Sequence, residues 1–193
     1  MDSKEELKEQ IIEAARQIFS RYGFKKTTMD DIAEGVNKGK SSMYYYFKSK
    51  DEVFKAVIEK EISILRIELF KVIDSELSPE VKLRIYIYTR LIKFKELTNF
   101  YQAIKNEVLA RMDYVEEIRK QYDENEINHV EKILNQGIEH NVFRIDDARL
   151  AAIVIVTAIK GLEIPLFWNN GDDHVESRLQ NVLNILFNGI IKK

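Results

Sequence analysis

Lys40-Ser41-Ser42-Met43-Tyr44-Tyr45-Tyr46 packs an ammonium, two hydroxyls and three phenols into seven residues. These groups donate hydrogen bonds to phosphate oxygens, and phenol rings also lie well against thymine methyls and sugars. At about 100° per residue, three consecutive tyrosines on one helix cannot all be buried, so at least one must point outward. Met43 and Phe47, four apart, give the same segment an inward face. The chemistry this pattern suits is non-covalent recognition of a polyanion.

Catalytic readings fail on spacing. Gly39-Lys40-Ser41 looks like the end of a phosphate loop, but that loop needs glycine where Glu34 stands and a buried strand before it. The histidines are His129, His140 and His174, with no pair at metal-ligand spacing; His129 and His140 are three helical turns apart. The acid pairs Asp146-Asp147 and Asp172-Asp173 fall at predicted helix starts, where capping explains them. With no cysteine there is no thiolate nucleophile, no thiolate metal site and no disulfide. The expectation is a protein that is not an enzyme and uses no cofactor or metal.

The elements that would position the Lys40–Tyr46 segment are helices. Leu7, Ile11, Ala14, Ala15, Ile18, Phe19 and Tyr22 recur every three or four residues, predicting a helix over about 4–22 that Gly23 closes in left-handed geometry. Thr27 or Thr28 caps a short helix with Asp30 and Asp31 in its first turn and Ile32, Ala33 and Val36 on its buried side. Asn37 and Gly39 tolerate the left-handed backbone of a sharp turn. A third helix follows to Phe47, and Ser49-Lys50-Asp51-Glu52 has the form of a capping box opening a fourth, to about 74. Longer helices are predicted over about 79–97, 99–110, 113–140, 148–166 and 174–190, giving an all-α chain of about nine helices. Three helices in about 44 residues, the second and third short and tightly turned, have the layout of a helix-turn-helix.

Composition agrees. In 193 residues there are 7 Gly, 2 Pro and no Cys, too few turn formers for a β-sandwich or barrel. The longest nearly unbroken apolar run, Leu150 to Ile159, is too short to span a bilayer, and the charged start MDSKEELKEQ is no signal peptide, so a cytoplasmic, membrane-free protein is expected. The net charge of -2 conceals a gradient: residues 1–50 hold ten Lys or Arg against eight acids, the other 143 residues 20 against 24.

From Ile11 to about Val57 the chain resembles the tetracycline-repressor (TetR/AcrR) family of bacterial regulators, in its N-terminal DNA-binding domain. The likeness lies in IIEAARQIFSRYGFKKTTMDDIAEGVNKGKSSMYYYFKSKDEVF: A-A-x-x-x-F-x-x-x-G in the first helix, T-T before I-A, Y-Y-Y-F in the third and K-S-K-D-E at the fourth. Gly35-Val36-Asn37-Lys38-Gly39 mimics the family's turn, but aligning on it requires two extra residues before the tyrosines. The ungapped register puts Asn37 at the turn glycine, Lys38 at an apolar position and Ser42 at a threonine. Lys38 then either faces phosphate at the turn edge or folds its stem over the core. The resemblance implies that Thr27, Thr28, Tyr45, Tyr46 and Lys50 touch the DNA backbone and that Lys40, Ser41, Ser42 and Tyr44 approach bases. It also implies a DNA-binding domain over 1–49 and an effector-binding and dimerisation domain over 50–193.

The second region has no specific motif. Polar-tipped aromatics beside a histidine suit a ligand pocket, and Tyr86, Phe100, Tyr101, Glu107, Met112, Tyr122, His129 and Trp168 are the candidates. The last helix carries an apolar stripe including Leu179, Val182, Leu186 and Ile190. With Ile153 and Val156 of the apolar helix before it, that stripe could form a four-helix seam between two copies. The expected partners are a double-stranded operator, a second copy and a small, largely apolar effector that shifts the population toward a non-binding spacing, transmitted by the helix at 50–74. Two alternatives stand beside this: a constitutive or protein-gated regulator, and a helical small-molecule carrier without DNA binding.

Overall fold

The computed structural model describes residues 3–105, 113–167 and 175–190. Among the described residues there are nine helices: α1 (Ser3–Tyr22), α2 (Met29–Gly35), α3 (Lys40–Tyr46), α4 (Lys50–Ile73), α5 (Pro79–Glu96), α6 (Thr98–Lys105), α7 (Asp113–Glu139), α8 (Ala148–Phe167) and α9 (Val175–Ile190). The fold is all-α, as expected, and no helix among the described residues is long and apolar enough to cross a membrane.

Local chemistry explains the boundaries. Gly23 ends α1 at φ 80°. Thr28 caps α2 through a reciprocal box: its hydroxyl accepts from Asp31 N–H at 3.2 Å, while the Asp31 carboxylate accepts from Thr28 N–H at 2.7 Å. At α4, Ser49 Oγ accepts from Glu52 N–H at 3.2 Å, but the Glu52 carboxylate takes the N–H of Lys48, one residue earlier than a regular box. Asp147 caps α8 through Leu150 N–H at 2.9 Å.

The chain divides into two compact units, Met1–Ile64 with Leu97–Ile118, and Leu65–Glu96 with Arg119–Lys193. The division falls inside α4 rather than at residue 50, because the first half of α4 supplies core to the first unit. There Ile11, Ala15 and Phe19 of α1, Ile32 and Ala33 of α2, Met43 of α3 and Val53, Phe54 and Val57 of α4 are buried. Phe54 meets Phe19 edge-on with centroids 5.1 Å apart and Phe24 at 4.7 Å. The first turn of α6 joins this unit through Asn99, whose amide donates to Glu61 Oε1 at 2.7 Å and to Arg16 O at 3.0 Å.

In the second unit α5 buries Leu83, Tyr86, Ile87, Arg90 and Leu91, not the Val81 side of the helix; Val81 is 41% exposed. From α7 come Tyr122, Glu126, Val130, Ile133 and Leu134, from α8 Ala152, Ile155, Val156 and Ile159, and from α9 Leu183 and Phe187. Gly137 of α7 lets the Phe143 ring lie against the backbone: a Cβ there would stand 2.0 Å from a ring carbon.

Candidate nucleic-acid interface

α2 and α3 are joined by a turn whose sharp point is Asn37, at φ 52°. Asn37 thus takes the left-handed position that the ungapped register gives it, while Gly39 is an extended N-cap at φ -73°. Lys38 N–H and Asn37 N–H return to Ala33 O and Glu34 O, closing the α2 end. Met43 is fully buried and Phe47 nearly so, which anchors α3 by one edge and turns the rest outward.

The outward face carries what the sequence suggested. Tyr45 is 64% exposed and Tyr44 46%, with Tyr46 half-buried and edge-on to Tyr45 at 5.0 Å. Lys38, Lys40 and Ser41 are exposed and Ser42 is half-buried. Lys40 Nζ rests on Asp30 Oδ2 at 2.9 Å, both side chains more than half exposed, which raises the lysine pKa further above its ordinary value. Such a solvated contact contributes little and gives way readily to a base or phosphate.

Two expected backbone contacts sit differently. Thr27 is buried, and its hydroxyl donates to Gly23 O at 3.0 Å, so that side chain braces the α1–α2 loop. Lys50 donates to Phe24 O and Thr27 O, each at 2.8 Å, and its ammonium lies 4.3 Å from the Phe24 ring centroid. A lysine in the first turn of a helix opposes the helix dipole. Here the loop carbonyls receive it, leaving one of three N–H donors for an anion. Thr28 is exposed at the α2 start, where its cap also holds the Asp31 carboxyl below the usual carboxylate range.

Two residues outside the expected set approach α3 from α1. Lys4 Nζ lies 5.0 Å from the Tyr45 ring centroid, and Lys8 Nζ 5.8 Å from that of Phe47. Their i, i+4 spacing on a solvent face was the available signal; it cannot say which helix they lean toward.

Residues 11–57 match the model of the bacterial regulatory proteins of the tetR family, from Ile11 within α1 through α2 and α3 to the start of α4. Residues 11–57 are thus a DNA-binding domain of the TetR type. The chain is a DNA-binding, helix-turn-helix transcriptional regulator. The Bacillus subtilis HTH-type transcriptional regulator YhgD is 25% identical over 154 residues, 77% of this chain and 78% of that one. The biofilm operon icaADBC negative transcriptional regulator IcaR of Staphylococcus epidermidis is 40% identical over 53 residues, 28% of this chain and 29% of its own length. A transcriptional regulator from Cytophaga hutchinsonii has the same fold over 99% of this chain and 100% of its own, with a TM-score of 0.81 and 28% identity.

In the second unit, Tyr86, Tyr122 and His129 come together around an ion pair absent from the sequence expectations. Arg90 binds Glu126 with two bonds of 2.7 and 2.9 Å, the side chains only 1% and 3% exposed. The Arg90 guanidinium lies 5.5 Å from the Tyr122 centroid, and Tyr86 Oη stands 3.5 Å from His129 Nδ1. Burial pushes the Tyr86 phenol well above its ordinary value and the His129 imidazole below its own. Opposed charge on α5 and α7 was visible in sequence, but nothing local marks Arg90 and Glu126 as facing each other. Glu107, Met112 and Trp168 lie outside the described residues, as do the side chains of Phe100 and Tyr101. In the first unit, Tyr114, also missed, has a buried hydroxyl without a hydrogen-bond partner among the described residues, and burial pushes it up to about 12.

The seam expected between copies needs correction at Val156, which is 3% exposed and packs inside its own unit. Ile153 is 39% exposed, and beside it Leu150 and Val154 are each 58% exposed. Val182 and Leu186 are half-buried; the side chains of Leu179 and Ile190 lie outside the described residues.

Proposed function

We propose that this regulator is a homodimeric repressor that binds a palindromic operator and is released by a small, largely apolar effector. The observation that carries the reading is the outer face of α8. Leu150, Ile153, Val154, Thr157, Ala158 and Gly161 are all exposed, at intervals of three and four. That is a helix-long stripe with its small residues at one end, where a Cβ on Gly161 would meet nothing within 4 Å. An apolar stripe of this length on one side of a buried helix fits pairing with its own copy about a two-fold axis. Two-fold pairing presents two α3 helices to two half-sites about one helical turn of DNA apart.

The effector would enter the second unit, with its apolar body against the α5 and α7 side chains and any polar end at the Tyr86, Arg90, Glu126 and His129 cluster. By binding one domain spacing better than the other it shifts the population away from the operator-bound form, and operator reciprocally weakens effector binding. The negative regulator IcaR, similar over the DNA-binding domain, supports repression as the sign.

Selection from random duplexes with the full chain, paired with light scattering, tests the reading. The expected result is a palindromic consensus bound by a dimer. Val154→Arg, which places a charge in the stripe, gives a folded monomer with at least a hundredfold weaker operator binding. A Val154→Arg variant that remains dimeric places the seam elsewhere, and a wild-type chain that selects no duplex removes the regulator reading.

A further inference from the structure

The DNA-reading surface does not end at the helix-turn-helix. We propose that Lys4 and Tyr45 form one clamp for a backbone phosphodiester, so that the first turn of α1 is part of the contact surface; the proposal rests on the DNA-binding reading above. Lys4 is exposed in the first turn of α1, and its ammonium sits 5.0 Å from the centroid of the most exposed ring of α3.

The donor geometry gives the clamp its chemistry. The Lys4 ammonium lies over the Tyr45 ring, and contact with that phenol raises the lysine pKa further above its ordinary value. An ammonium held over a ring face leaves the phenol O–H, and the N–H groups turned away from the ring, to be donated outward. Two phosphate oxygens can then be met by one cationic and one neutral donor that are already adjacent, so neither side chain has to be gathered from solvent. The same contact fixes the lysine over the ring before DNA arrives, lowering the ordering cost that a long free side chain brings.

The position of the charge argues in the same direction. Glu5 and Glu6 occupy the first turn of α1, where acids complement the helix dipole; Lys4 beside them opposes it. A cation placed against the dipole and leaning on an exposed tyrosine is explained by an anion that approaches both. Lys8 provides the internal comparison: its ammonium faces Phe47, a buried ring without a hydroxyl. Lys8 can brace α1 against the end of α3, where Phe47 supplies no hydroxyl to donate beside it.

The test is the salt dependence of binding by the full chain, measured by fluorescence anisotropy on a selected operator duplex and on a scrambled duplex of equal length. Each phosphate neutralised contributes about 0.9 to the slope of log K against log salt. Lys4→Ala should lower the slope by about 0.9 per protomer and weaken operator and scrambled duplex by the same factor, leaving the specificity ratio unchanged. Tyr45→Phe should weaken both duplexes with the slope intact, and Lys8→Ala should leave the slope unchanged. If Lys4→Ala lowers the melting temperature but keeps the wild-type slope, the contact is structural and the clamp is refuted while DNA binding stands. A wild-type chain with no salt-dependent duplex binding overturns the clamp and the regulator reading together.

Discussion

Removing either partner of the buried Arg90–Glu126 pair should destabilise the protein far more than removing both. The two bonds are 2.7 and 2.9 Å long, and the side chains are 1% and 3% exposed, so neither water nor salt screens the charge left behind. Glu126→Leu takes the carboxylate from a guanidinium buried between α5 and α7, and Arg90→Met takes the cation from a buried carboxylate; each costs about 3–5 kcal/mol. At about 2–4 °C per kcal/mol for a chain of this size, the melting temperature should fall by roughly 6–20 °C in either single variant. The double variant replaces both charges by apolar groups of similar volume, regains the desolvation penalty of each ion, and should return to within about 1 kcal/mol of wild type or exceed it. Urea unfolding of the four proteins closes a double-mutant cycle, whose coupling energy should then be at least about 3 kcal/mol. The loss in each single variant should be the same at 0.1 and 1 M salt. Single variants that cost less than about 1 kcal/mol, or a cycle without coupling, would mean that water reaches these groups, and the reasoning from burial would fail.

Gly137→Ala should destabilise the chain by about 1–3 kcal/mol although alanine is the better helix former, because its Cβ would meet three carbons of the Phe143 ring at 2.0–2.8 Å; a Phe143→Ala background should relieve most of the loss in chemical unfolding. Burial, reinforced by Arg66 and Lys132 and opposed by Glu126, holds the His129 imidazole below its ordinary 6.5, so the unfolded chain takes the proton first. The stability His129 contributes is therefore present above about pH 6.5 and lost as pH falls below it, and His129→Gln should flatten that part of a pH–stability profile. Lys50→Ala removes two charge-assisted bonds to the α1–α2 loop and should cost about 2 kcal/mol together with operator affinity; a loss of affinity without loss of stability would assign Lys50 to phosphate alone.

What could be read from the sequence is what is decided within a few residues. The cap of α2, read as Thr27 or Thr28 and found at Thr28, the Asn37 turn and the Gly23 stop are each satisfied by near neighbours, and so are the helix limits they set. Lys50 was located at its helix start by the same local logic, yet its carbonyl partners lie 23 and 26 residues earlier, a distance over which spacing carries no information. The buried Arg90–Glu126 pair failed for a related reason: each residue, taken on its own helix, reads as part of a solvated face. The α8 helix shows the limit most sharply. Val154 and Val156 are the same side chain in the same apolar run, one 58% exposed and the other 3%. Periodicity cannot separate them, because a helix apolar all round has no polar face to set the phase. The phase is set by α5 and α9, which pack on the side that holds Ala152, Ile155, Val156 and Ile159. Apolarity in sequence records a preference for cover, and the folded chain is needed to show which residues, Val154 among them, remain exposed.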